Sequence, residues 1–158
     1  MSNIFNFFVL KIVFLSFIFV TFPFKSNLTK SDEITIEEVI IKKRKSIFSK
    51  NYSTAKKVQI SASKGDFEKA KSLMEEMSKN YIDLIPLFPE NTSKGFKTEA
   101  LLTIWENKED FNKLMKKSSD DMKKLASIVE TVEDIEGSLK QMMWANCKTC
   151  HSKFRAPH

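Results

Sequence analysis

The chain has 158 residues, a formal net charge of +6, 42% hydrophobic residues, and only three glycines, four prolines and two cysteines. That length suits one domain around one core. So few turn formers exclude a many-stranded sandwich or barrel, two cysteines exclude a disulfide-built scaffold, and so small a net charge leaves no polyanion-binding footprint.

At the amino end a continuous apolar or small stretch, Ile12 to Phe24, follows Lys11 and stops at Lys25. Residues 1–25 therefore read as a signal peptide that exports residues 26–158 to the periplasm as a single domain. The apolar run Ile4 to Leu10 and the lack of an A-x-A pattern near Lys25 keep an uncleaved inner-membrane anchor as the alternative. Only with such an anchor is a membrane a partner.

Beyond the leader the breakers are Gly65, Pro86, Pro89, Gly95, Gly137 and Pro157, and apolar residues between them recur at helical spacing. The first helix opens at Thr35, where Thr35-x-x-Glu38 reads as a capping box. Its stripe is Ile36, Ile40, Ile47, Phe48, Ala55 and Val58, and Gly65 ends it. The second begins at Asp66 and carries Phe67, Ala70, Leu73, Met74, Met77, Tyr81, Leu84 and Ile85 up to Pro86 and Pro89. A loop through Asn91 and Gly95 leads to a short apolar piece ending in Ile104-Trp105. Asn107-x-x-Asp110 then caps a third helix with Phe111, Leu114, Met115, Met122, Leu125 and Val129 inside. Thr131-x-x-Asp134 opens the fourth, through Val132, Ile135, Leu139, Met142 and Met143, despite Gly137, which costs about 1 kcal/mol against alanine. Short loops between helices one and two and between three and four make those pairs antiparallel neighbours. The expected fold is all-α: an antiparallel, up-down-up-down four-helix bundle.

The basic run Lys42-Lys43-Arg44-Lys45 reads as a solvated helix face, Arg44 excepted, and an exported chain offers it no nucleic acid. The fourth helix runs into Cys147-Lys148-Thr149-Cys150-His151, a C-x-x-C-H motif for covalent haem attachment. On a helix these spacings project both thiols and the imidazole from one face, so the thiols can add to the haem vinyl groups while His151 binds iron. The other uses of such a motif are a redox dithiol, which needs a βαβ context absent here, and a zinc site, for which only His158 remains as a further ligand. The cofactor expected is one covalently attached haem c, near the end of the last helix.

Only seven residues follow His151, so a sixth iron ligand from downstream is not expected. A bundle with the haem motif in its last helix resembles the class II c-type cytochromes, and the likeness to the cytochrome c′ family runs from Thr35 to Arg155. It includes Gly65-Asp66-Phe67, Leu87-Phe88-Pro89-Glu90, Ile104-Trp105 and Cys150-His151-Ser152-Lys153-Phe154-Arg155. Low-spin members resemble an Arg-x-x-x-Met pattern in helix one, whose methionine binds iron. Here it reads Arg44-Lys45-Ser46-Ile47-Phe48, and Phe48 has no lone pair to give.

The resemblance therefore implies five-coordinate, high-spin iron under an apolar Phe48 lid, binding nitric oxide or carbon monoxide, with dioxygen a poor ligand for want of a distal donor. It implies a haem-propionate partner in Arg44 and a proximal basic residue in Arg155. The alternative is a low-spin class II cytochrome acting purely as a one-electron carrier for a redox partner the sequence does not identify. No acid–base constellation supports an enzyme. Family members pair through their first two helices, but the basic run of helix one would repel its twin in such a homodimer. Trp105, Trp144 and the methionines Met74, Met77, Met115, Met122, Met142 and Met143 read as packing residues.

Overall fold

The structure, a computed structural model, describes residues 34–157, so the leader reading for residues 1–25, the start of the domain at 26 and His158 lie outside it. The described residues form α1 (Ile36–Ser63), α2 (Phe67–Leu84), a one-turn α3 (Thr103–Glu106), α4 (Lys108–Ile128), α5 (Ile135–Leu139) and α6 (Ala145–Phe154). A π-helical segment, Lys140–Trp144, joins α5 and α6 into one rod. The four rods α1, α2, α4 and α5–α6 make the expected antiparallel bundle: α1 packs on α2, α2 on α4, and the last rod on α1 and α4. Among the described residues there is no strand beyond one isolated antiparallel bridge, Ala100 to Arg155.

Local chemistry sets the first hairpin. Thr35 caps α1 by accepting from the Glu38 amide at 3.3 Å. At the other end the Gly65 amide donates to Ala62 and the Asp66 amide to Ser61, the paired bonds of a Schellman cap, with Gly65 at φ +74° supplying the left-handed residue such a cap requires. Asp66 then caps α2 on the Lys69 amide, so one three-residue turn closes one helix and opens the next.

Four details differ from the pattern-based reading. Ile36 is 68% exposed, and the buried face of α1 runs instead through Ile41, Arg44, Asn51, Thr54, Ala55 and Val58, because polar residues with tertiary partners hold positions that hydropathy assigns to solvent. Asn107 precedes α4 but makes no cap; its amide donates back to Thr103 across α3. Thr131 does not open the last rod. Asp134 does, on the Gly137 amide at 2.8 Å, and a Cβ on residue 137 would run into that carboxylate, so the glycine serves the cap. The last helix is also interrupted at Lys140–Trp144, where a π turn adds a residue and re-phases everything after it.

The core is methionine-rich: Met74, Met77, Met115, Met122 and Met143 are buried with Phe111 and Leu125, as packing residues should be. Ser78 and Ser119 share a 2.8 Å hydroxyl bond where α2 meets α4, which lets the two backbones approach without leaving a polar group unsatisfied. No helix among the described residues is long and apolar enough to cross a membrane.

Candidate functional site

A cavity of about 740 Å³ lies among α1, α2, α4, α6 and the strand-like segment 98–100. Cys147, Cys150 and His151 line it together from α6, at the one-face spacing that i, i+3 and i+4 impose. Cys150 is buried, Cys147 half-buried and His151 exposed. Burial pushes the Cys150 thiol up to about 12, helped by Cys147 beside it, and burial also raises Cys147. Neither sulfur has the activated thiolate a redox dithiol needs. Among the described residues no three of His, Cys, Asp and Glu gather as a metal site.

A second wall is α1, which presents Arg44, Phe48 and Asn51. Arg44 is 2% exposed and built into the fold. Its Nη1 donates to Leu87 O at 3.2 Å and Thr92 Oγ1 at 2.9 Å, and its Nη2 to Thr92 O at 2.9 Å and Thr98 Oγ1 at 2.6 Å. The guanidinium also stacks 4.5 Å from the Phe88 centroid and 5.6 Å from that of Trp105, whose indole N–H donates to Pro89 O. Burial lowers its pKa to about 10, and the cation keeps its place because four hydrogen bonds replace its water. Lys42, Lys43 and Lys45 are exposed, so of the basic run only Arg44 turns inward.

Phe48 is half-buried and edge-on to Phe88, with centroids 6.4 Å apart. Phe88 in turn packs edge-on against Phe111 and Phe111 against Phe154, so a chain of aromatic rings reaches from α1 to the foot of α6. Met115 is the methionine that lines the cavity.

Arg155 is no loose tail residue. The Ala156 amide donates to Glu99 O at 2.8 Å and the Leu101 amide to Phe154 O at 3.0 Å, which ties the chain end to segment 99–101. Glu99 Oε2 accepts from Arg155 Nε at 2.9 Å and Nη2 at 2.8 Å, while Arg155 Nη1 lies 3.5 Å from His151 Nδ1.

Pattern reasoning proposed Arg44, Phe48, Cys147, Cys150, His151 and Arg155 as candidates, and all six line one cavity. It missed Asn51, Tyr81 and Glu99. Tyr81, whose hydroxyl lies 4.0 Å from Cys147 Sγ and whose pKa burial raises, was legible only as a core position of α2. Asn51 and Glu99 carried no signal, being single polar residues in helix and loop.

The cavity suits a large, flat, anchored cofactor. Its volume is in the range of cofactor sites, with Ile104, Phe111 and Met115 offering an apolar bed. Two thiols and an imidazole stand on one wall, and Lys45, Lys148 and Arg155 offer positive charge to carboxylates. Asn51, 4% exposed, accepts from Asn80 at 2.8 Å, yet its Nδ2 is buried without a partner, an orphan donor on the rim of that space.

Comparison with known proteins agrees with this construction. The family model described as Cytochrome C′ matches residues 39–155. The cytochrome c′ of Rhodospirillum rubrum is 41% identical over 70 residues, 44% of this chain and 48% of that protein, so the match spans about half the relative's length. Among solved structures, cytochrome c′ from Rhodopseudomonas palustris aligns with a TM-score of 0.63 and 30% identity over 75% of this chain and 96% of its own. A ferrous variant of the Alcaligenes xylosoxidans protein with bound nitric oxide aligns at TM-score 0.66 and 18% identity, over 80% of this chain and all of its own, a likeness of fold. Another variant from that organism is a carbon monoxide complex.

Proposed function

This chain belongs to the cytochrome c′ family and carries one covalently attached haem c, and we propose that it is an exported, high-spin, gas-binding cytochrome of the periplasm. Cys147 and Cys150 would hold the group through thioethers and His151 would give its iron a nitrogen ligand. Phe48, on the facing wall, fills the side where a sixth ligand would stand. The haem would supply an iron suited to binding nitric oxide or carbon monoxide, and a one-electron couple.

The observation that carries this reading is that one cavity is lined by both His151, an imidazole on α6, and Phe48, a side chain without a lone pair on α1. The nitric oxide and carbon monoxide complexes of the Alcaligenes xylosoxidans variants support the ligand class. The chain's own residues then do three things. Two sulfurs and one nitrogen fix the group to α6. The Phe48, Phe88 and Phe111 rings exclude water from one side, so a ligand entering there must displace Phe48. Arg44 fixes the loop that backs Phe48.

A second reading, one-electron transfer, has one observation in its favour: His151 is exposed and Lys148 lines the same cavity, so a partner could approach that edge. The absorption spectrum of the purified holoprotein, with and without nitric oxide, separates the two. High-spin bands that shift with the gas support the first, and sharp low-spin bands indifferent to it overturn it.

A further inference from the structure

We propose that Asn51 is a ligand-discriminating residue: its side-chain amide, held by Asn80, donates a hydrogen bond to the oxygen of a diatomic ligand on the α1 side of the cavity. The inference deepens the function just proposed and rests on it, since that reading brings the gas in past Phe48 on the same helix.

Arg44, Phe48 and Asn51 follow one another at helical spacing, so they share one face of α1, and all three line the cavity. Asn51 is 4% exposed. Its Oδ1 accepts from Asn80 Nδ2 on α2 at 2.8 Å, which ties down one end of the amide and leaves Nδ2 at the other. That Nδ2 is buried without a partner, the one buried side-chain nitrogen so left among the described residues. Other polar side chains of the cavity are committed: Ser118 donates to Leu114 O at 2.9 Å, Asn146 Nδ2 to Asp121 Oδ2 and Met142 O, and the Tyr81 hydroxyl lies 4.0 Å from Cys147 Sγ.

A buried donor without an acceptor opposes folding, and native proteins keep few of them. One that belongs to the lining of a ligand cavity is satisfied when the ligand brings an acceptor. A diatomic bound to ferrous iron draws electron density to its outer atom, and a donor there favours the ligand that draws most, dioxygen above carbon monoxide. An apolar lid alone gives no such preference. The residue pattern led to no donor on this side because the lid position holds phenylalanine, whereas the amide comes from the next turn of the same face.

The experiment compares the carbon monoxide complexes of wild type, Asn51→Leu and Asn80→Leu as purified ferrous holoproteins, with haem retention and circular dichroism confirming the fold. The C–O stretch, read by infrared spectroscopy, falls when a donor stands at the oxygen. It should therefore rise in Asn51→Leu, which keeps the side-chain size and removes the donor. In Asn80→Leu, where the amide is free to turn, it should rise part of the way. Carbon monoxide release should speed roughly two- to threefold in Asn51→Leu, the lower end of the scale for one neutral hydrogen bond. An amide with a structural role alone would lower stability in both variants and move neither stretch, and that result overturns the proposal. So does a stretch that falls in Asn51→Leu, which would mean that the amide presents its oxygen to the ligand. If Asn51→Leu fails to retain haem, the comparison of wild type with Asn80→Leu decides, and identical stretches overturn the proposal. A wild-type protein that is low-spin and binds no carbon monoxide overturns the proposed function, and this inference with it; one that is high-spin and binds the gas but fails the stretch test overturns this inference alone.

Discussion

The α6 wall of the cavity takes its chemistry from residues three and four apart, whereas the α1 wall takes its shape from residues forty or more positions away. Cys147, Cys150 and His151 share a face because a helix repeats every 3.6 residues, and nothing else in the fold is needed to bring them together. Arg44, by contrast, is set by Leu87, Thr92 and Thr98, and Phe48 by Phe88. One wall of a cavity can thus be local while the wall beside it is tertiary. Segment 98–99 touches both walls, since Thr98 bonds Arg44 and Glu99 bonds Arg155. It links Arg44 on α1 to Arg155 beside His151.

The strongest break of this contrast is on α6. Replacing both Cys147 and Cys150 with alanine should abolish covalent haem retention, whereas His151→Ala should leave the haem attached without its axial nitrogen. Acid–acetone extraction distinguishes these outcomes. Haem from the unaltered protein passing into the organic phase would refute the thioether assignment.

Next is Arg44→Leu, which leaves Leu87 O and Thr92 O without the donor they now have and should lower unfolding stability by about 2–4 kcal/mol. Covalent attachment should survive. The midpoint of urea denaturation at constant m-value checks it, and a loss below about 1 kcal/mol would mean that the loop backs α1 without the guanidinium.

Phe48 sharpens the same comparison with less effect on stability. Phe48→Met puts a thioether on the face opposite His151 and should move the iron toward six-coordinate low spin, seen in the Soret band. Phe48→Ala should speed carbon monoxide binding on the order of tenfold, as about 1.4 kcal/mol of steric barrier is removed. Unchanged rates would take Phe48 out of the path of the gas.

The smallest effect belongs to the start of the last rod. Asp134→Ala removes the cap on the Gly137 amide and should cost about 1 kcal/mol. The haem spectrum should stay as in wild type, because the π segment and α6 lie between that cap and the cavity. A shifted spectrum would show that α6 is less self-sufficient than its spacing implies.

The sequence by itself determined the four rods, their hairpin order and the face of the last one that Cys147, Cys150 and His151 share. Each depends on contacts within a few residues: the Thr35 cap, the Gly65 and Asp66 turn, the stripes of α2 and α4, and the C-x-x-C-H spacing. Tertiary structure alone decided which face of α1 is buried, because hydropathy assigns arginine and asparagine to water unless distant carbonyls and amides take its place, as they do for Arg44 and, in part, Asn51. It alone brought Glu99 to Arg155, 56 positions apart, through main-chain hydrogen bonds that form whatever the side chains are and therefore leave no trace in the pattern of residues.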